Sequence, residues 1–200
     1  MTPEELAARC LVAAGVRSLP VDVPRILRLI PGTFLFTPDR ARAMGAPPAA
    51  LAALSPEVPA VTFAVTADGT RRRIVCCLPG AGAARLRMTL AHELGHIVCR
   101  HRGTGGREER EADAFARALL APPCLLERLR EEIGSVRALA WAFGLTAGEA
   151  ERAFVRRIRG GERAKIPPDL ADTVAENLLA PVRERLRAGH KHEQKIENSK

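Results

Sequence analysis

Two histidines four residues apart, with a glutamate directly after the first, constrain this chain more than any other feature. The stretch is His92-Glu93-Leu94-Gly95-His96. On a helix, residues i and i+4 lie on one face, one turn apart. Both imidazoles can then reach a single metal ion. The pattern demands a helix and a partner element to cover its apolar side. Leu90, Leu94, Ile97 and Val98 recur at helical spacing and supply that side. Thr89 reads as the N-cap, because its hydroxyl can accept a bond from an otherwise unpaired N–H. Gly95 lowers helix propensity by about 1 kcal/mol relative to alanine. A small residue there fits close packing by a neighbour. Glu93 is placed to serve as general base towards water activated by the metal. Histidine and carboxylate ligands suit zinc.

A catalytic zinc usually takes three protein ligands and keeps one open position. The third ligand must come from another segment. Residues 107–120 run Arg-Glu-Glu-Arg-Glu-Ala-Asp-Ala-Phe-Ala-Arg-Ala-Leu-Leu before Ala121-Pro122-Pro123. Ala112, Phe115, Ala116, Leu119 and Leu120 form an apolar stripe, so this is a second helix with an acidic first turn. The Gly-rich loop 103–106 lets the two helices run antiparallel and face one metal. Glu108, Glu109 and Glu111 all compete for the third position. Glu109 is favoured because Asp113 lies at i+4 on its face. One carboxylate can bind the metal while the other accepts a hydrogen bond from a ligating histidine.

These stretches, Arg85 to His96 and Glu109 to Pro122, resemble the ImmA/IrrE family of metallo-endopeptidases, whose ligand arrangement is gluzincin-like. The resemblance covers residues from about 5 to 160; its flanks include Pro20-Val21-Asp22-Val23 and Leu139-Ala140-Trp141-Ala142-Phe143-Gly144-Leu145-Thr146. It implies a cytoplasmic zinc endopeptidase that cleaves a helix-turn-helix repressor and so relieves repression of a mobile element or stress response. Carried over, His92, His96 and Glu109 bind Zn2+ and Glu93 is the catalytic base. Met88 and Ala121 replace the usual Phe and Met, and Asp113 stands where the family often has Asn. None of these departures touches the proposed ligands.

The chain contains no tyrosine. Tyrosine therefore cannot stabilise the oxyanion that peptide hydrolysis generates. His101 and Arg87 are the candidates for that task, against plainer roles as a helix-end histidine and a salt-bridge partner. Five cysteines without C-x-x-C spacing fit a reducing compartment and small buried positions. A net charge of +8 admits nucleic acid as a partner. Few aromatics argue against single-stranded nucleic acid. No basic, apolar leader and no stretch of about 20 apolar residues is present, so a soluble, cytoplasmic protein with no membrane partner is expected.

The expected fold class is α+β: a mainly helical, zincin-like domain with a small, about three-stranded sheet packed on the H-E-x-x-H helix. Strands are expected at 33–36, 60–65 and 73–78, with Asp68-Gly69 as a hairpin signal. Helices are expected at 3–14, 22–30, 125–133, 136–143, 147–159 and 168–188, with short helical turns over 38–56. The domain division expected is 1–122 for the peptidase-like part and 123–188 for a C-terminal helical segment. That segment contains a helix-turn-helix-like hairpin at about 135–158, and a disordered polar tail follows at 189–200. His190 and His192 in the tail are given no function. Acids at the start of the hairpin's second helix disfavour DNA binding. Two alternatives to the peptidase remain: a DNA-binding regulator on a peptidase-like fold, and a regulatory or toxin-like partner of an adjacent small protein.

Overall fold

The computed structural model describes residues 1–197 apart from 68, 104, 162 and 164. The chain forms two compact units, Asp22–Ala116 and Met1–Val21 together with Arg117–Lys200. The architecture is α+β, with helices dominating and one small sheet.

The sheet belongs to the first unit. Its strands are β1 (Thr33–Phe36), β2 (Ala60–Ala67) and β3 (Thr70–Cys77), in the order β1-β3-β2. β3 is central, antiparallel to β2 across the hairpin and parallel to β1. Of the Asp68-Gly69 turn signal, Asp68 lies outside the described residues. Gly69 has φ 71°, the left-handed conformation that a tight hairpin needs.

Strand alternation sorts the side chains onto two faces. One carries Phe36, Val61, Phe63, Val65, Ile74 and Cys76, which pack against Ala41, Met44, Ala46 and Leu51. Those residues come from α3 (Pro38–Ala43), α4 (Pro48–Ala52) and the connections after them. The other face meets α5 (Ala83–Val98), while α2 (Val23–Leu29) packs on α5 and β1. Cys76 and its neighbour Cys77 thus point to opposite faces, and all five cysteines are free thiols.

The motif helix α5 and its partner α6 (Gly106–Leu120) bury the stripes seen in the sequence. Leu90, Leu94, Ala112, Phe115 and Ala116 are each at most 1% exposed. Thr89 is not the N-cap. α5 begins at Ala83, and Gly82 caps it without a side-chain bond. Thr89 lies within the helix, and its hydroxyl bonds back to the Arg85 carbonyl at 3.2 Å.

Gly95 is where the two helices touch. A Cβ there would lie 3.0 Å from both Cα and O of Ala112 and 3.2 Å from the Phe115 ring. The first two are main-chain atoms and cannot swing aside. Gly95→Ala should therefore cost about 1–3 kcal/mol in overpacking, against about 1 kcal/mol gained in helix propensity. A lowered denaturation midpoint is the expected result; an unchanged or raised one would mean that α6 yields freely.

In the second unit, α1 (Pro3–Ala13) joins α7 (Pro123–Arg128), α8 (Val136–Phe143), α9 (Ala147–Ala153) and α10 (Pro168–Glu197). This grouping differs from the division expected at 122/123, because the first 21 residues share the C-terminal core. The Arg157 guanidinium, itself buried, pairs with Glu4 on α1 and donates to the Arg163 carbonyl at 2.9 Å. The helix expected over 147–159 changes to π-helical winding at Phe154–Arg159. The helix expected over 125–133 starts at Pro123 and stops at Arg128. The final helix runs on to Glu197, through most of the segment expected as a disordered tail. The side chains of His190 and His192 lie outside the described part. Among the described residues, no helix is long and apolar enough to cross a membrane.

The α8–α9 hairpin is closed by ordinary helix signals. Ser135 and Thr146 cap the two helices, and Gly144 ends the first in the left-handed conformation. Glu149, at the start of α9, pairs with Arg117 at 3.3 Å and with Arg152. Its charge is spent inside the unit.

Candidate metal centre

α5 and α6 bring three ligand-type side chains to one point. His92 Nε2 lies 3.0 Å from His96 Nε2. Glu109 places Oε2 3.2 Å from His92 Nε2 and Oε1 3.4 Å from His96 Nε2. In a tetrahedral zinc site with bonds of about 2.0–2.1 Å, neighbouring ligand atoms are about 3.3–3.4 Å apart. The three separations, each taken to one or other Glu109 oxygen, are nearly of that size. The donor set, two neutral-capable imidazoles and a carboxylate, is one that zinc takes with an open fourth position. These three residues are a metal-capable group among the described residues.

The nitrogens facing away from the triangle are also held. His92 Nδ1 meets Asp113 Oδ1 at 2.8 Å. Asp113 lies one turn after Glu109, so one face of α6 supplies both carboxylates. An N–H on His92 Nδ1 donates to Asp113 and leaves the Nε2 lone pair facing the triangle. Burial first, and then the neighbouring His92, push the His96 imidazole below its ordinary pKa. That favours the neutral ring, the form that binds a metal.

Of the three competing glutamates, Glu109 reaches the cluster, whereas Glu111 turns to His101 and Arg107. His101 does not stand over the triangle. Its Nδ1 is 2.9 Å from Nδ1 of His96, on the opposite side of that ring from Nε2. The helix end explains the placement. Arg100 has φ 59°, the only positive φ at a non-glycine among the described residues. The His101 N–H bonds the His96 carbonyl at 3.0 Å and the Arg100 N–H bonds Ile97 at 3.2 Å. This left-handed closure turns the chain back, so that His101 lies beside His96. Arg87, the other candidate for oxyanion stabilisation, precedes His92 by five residues. It sits about 140° round α5 from His92 and about half a turn from His96.

Glu93 is half-buried, beside β2. Burial pushes its carboxyl above the ordinary range and Glu109 adds to the rise, while the Thr62 hydroxyl, His92 and the Thr62 N–H act against it. The buried Thr62 hydroxyl makes no hydrogen bond of regular geometry, so its pull on Glu93 is a loose one. The direction of the Thr62 N–H is fixed independently. Leu78 N–H bonds the Pro59 carbonyl at 2.8 Å. The register pairs Val61 with Cys76 and Phe63 with Ile74, which makes the odd-numbered residues of β2 those that bond to β3. The N–H and C=O groups of Ala60, Thr62, Ala64 and Thr66 therefore point to the unpaired edge. The acid of the motif thus stands beside the edge of β2 that no strand among the described residues pairs. Thr62 was not singled out in the sequence; its one signal there is a polar residue alternating with Val61 and Phe63.

The Peptidase_M78 model, IrrE N-terminal-like domain, matches residues 60–154. Residues 60–154 are an IrrE N-terminal-like domain. The match begins at β2, spans α5 and α6 and ends just past α9, so it contains the whole ligand cluster, Glu93 and that edge of β2. The IrrE N-terminal-like domain thus agrees with the resemblance carried by the two motif stretches, and its family is one of peptidases. No curated protein and no solved structure matches the chain.

Proposed function

We propose that this protein is a zinc-dependent endopeptidase of the cytoplasm that cleaves a helix-turn-helix repressor and thereby regulates transcription. The observation that carries the proposal is the triangle of His92, His96 and Glu109 with Glu93 alongside it. A zinc ion held by those three residues supplies Lewis acidity, making water nucleophilic at neutral pH.

The chain's own residues do the rest. Glu93 accepts the proton from the attacking water and passes it to the departing amine nitrogen. Burial, which favours its protonated form, suits a group that must both take and return a proton. Asp113 holds His92 with Nε2 towards the metal. The edge of β2 offers the Thr62 C=O and the Ala64 N–H and C=O to an extended peptide, which can add as a further strand. Such pairing would align a scissile carbonyl beside Glu93.

Metal analysis of the pure protein, followed by incubation with a candidate helix-turn-helix repressor, tests the proposal. Expected are one zinc per chain and a discrete cut, mapped by mass, that a chelator prevents. Protein without zinc, or a repressor left intact by the zinc-loaded enzyme, would overturn it.

A further inference from the structure

A chain of four side chains runs outward from the metal-facing ligand His96, and the metal-site assignment above does not use it. His96 Nδ1 contacts His101 Nδ1 at 2.9 Å, and His101 Nε2 contacts Glu111 Oε2 at 3.1 Å. Arg107 Nε donates to Glu111 Oε1 at 2.8 Å. The His101 side chain is only 6% exposed, so water has little access to either ring nitrogen.

We propose that His101 and Glu111 are positioning residues that keep the His96 proton on Nδ1 and so present the Nε2 lone pair to the metal. The inference rests on the metal-site reading of His92, His96 and Glu109.

One set of hydrogen-bond roles along the chain is compatible with a metal on His96 Nε2. Glu111, paired with Arg107, is a carboxylate and only accepts. His101 must then carry its proton on Nε2 in order to donate to it. A metal on His96 Nε2 requires the His96 proton on Nδ1; that N–H needs an acceptor, and a neutral His101, whose one N–H is turned to Glu111, offers Nδ1. Its partner at 2.9 Å, His96 Nδ1, must be the donor. His96 has then placed its single proton on Nδ1, and Nε2 is bare. With His101 neutral, the opposite arrangement would set two lone pairs against each other at the His96–His101 contact, or aim the bare His101 Nε2 at the Glu111 carboxylate. Each is repulsive in a site with little water. His92 receives the same service directly from Asp113; His96 receives it through an intervening histidine. Groups in this position raise the basicity of the ligand and fix its ring, and losing them typically weakens metal binding about 10–100-fold.

Zinc affinity of the full chain, measured by competition with a chromophoric chelator, tests the assignment without recourse to cleavage. His101→Leu removes the acceptor and should weaken zinc about 10–100-fold. His101→Gln should restore most of the affinity, because its amide carbonyl can accept from His96 and its NH2 can donate to Glu111. Glu111→Ala alters an outlying carboxylate and should also weaken zinc; it carries the test if His101→Leu does not fold. Wild-type protein that takes up no zinc would remove the metal site itself. Wild-type protein that binds zinc, with His101→Leu or a folded Glu111→Ala binding equally well, would overturn this inference alone. Equal losses in His101→Leu and His101→Gln would point to packing and overturn it too.

Discussion

Glu93→Gln is expected to retain the metal and to lower the rate of peptide cleavage by about 10²–10⁴-fold, the usual contribution of a positioned general base. Glutamine keeps the size and a polar tip, but it cannot accept a proton from water. Cleavage assays and metal analysis on the same preparation check this. Undiminished cleavage would remove Glu93 from the mechanism. Lost metal would mean that Glu93 helps to hold the ion rather than to move a proton.

The same variant has a second expected signature, in the metal-free protein. Burial raises the Glu93 pKa on folding, so the folded state holds this proton more tightly than the unfolded chain does. Stability from this group is therefore fully present below the unfolded carboxyl pKa. It declines as pH rises from there towards the raised folded value and stays flat above it. Glutamine has no such dependence. The melting temperature of metal-free Glu93→Gln should equal or exceed that of metal-free wild type near neutral pH. The gap should close on acidification into the ordinary carboxyl range. A gap that widens with acid would contradict the half-buried, charge-disfavouring setting of Glu93.

Zinc binding should stabilise the protein strongly, and Glu109→Ala should abolish most of that gain. A ligand at about a thousand times its dissociation constant adds about 4 kcal/mol of stability to the state that binds it. Because His92 and His96 lie on α5 and Glu109 on α6, the ion links two helices, and its free energy opposes their separation. The Glu109 side chain is 44% exposed, so the metal-free variant should melt close to metal-free wild type. Thermal unfolding with and without added zinc separates the two effects. An equal zinc-dependent shift in wild type and Glu109→Ala would exclude Glu109 as a ligand.

The metal-capable cluster is legible in the sequence because both of its parts are local. His92 and His96 are related by one helical turn, as are Glu109 and Asp113, and Gly95 marked the contact that unites the two helices. Other parts were illegible for identifiable reasons. Thr62 reaches Glu93 only through strand register, which depends on pairing with residues 70–77. α5 starts after Gly82 with no capping side chain, so the sequence points instead to Thr89, the nearest hydroxyl. The placement of His101 depends on a left-handed Arg100, where sequence preference would look for glycine or asparagine. The first helix joins the C-terminal core through contacts such as Glu4 with Arg157, 153 residues apart. No local window contains such a relation.

The unpaired edge of β2 carries a consequence for selectivity. A strand edge binds main chain, and every residue except proline has the same main-chain donor and acceptor. Such an edge discriminates by conformation before it discriminates by side chain. Segments already engaged in their own helices or sheets have no free N–H and C=O row to offer. A peptidase working through this edge would be restrained from attacking folded neighbours without an inhibitor, and its target would be chosen first by which stretch of it is loose. Whatever loosens a linker in the substrate then acts as the switch, and the enzyme itself need not change.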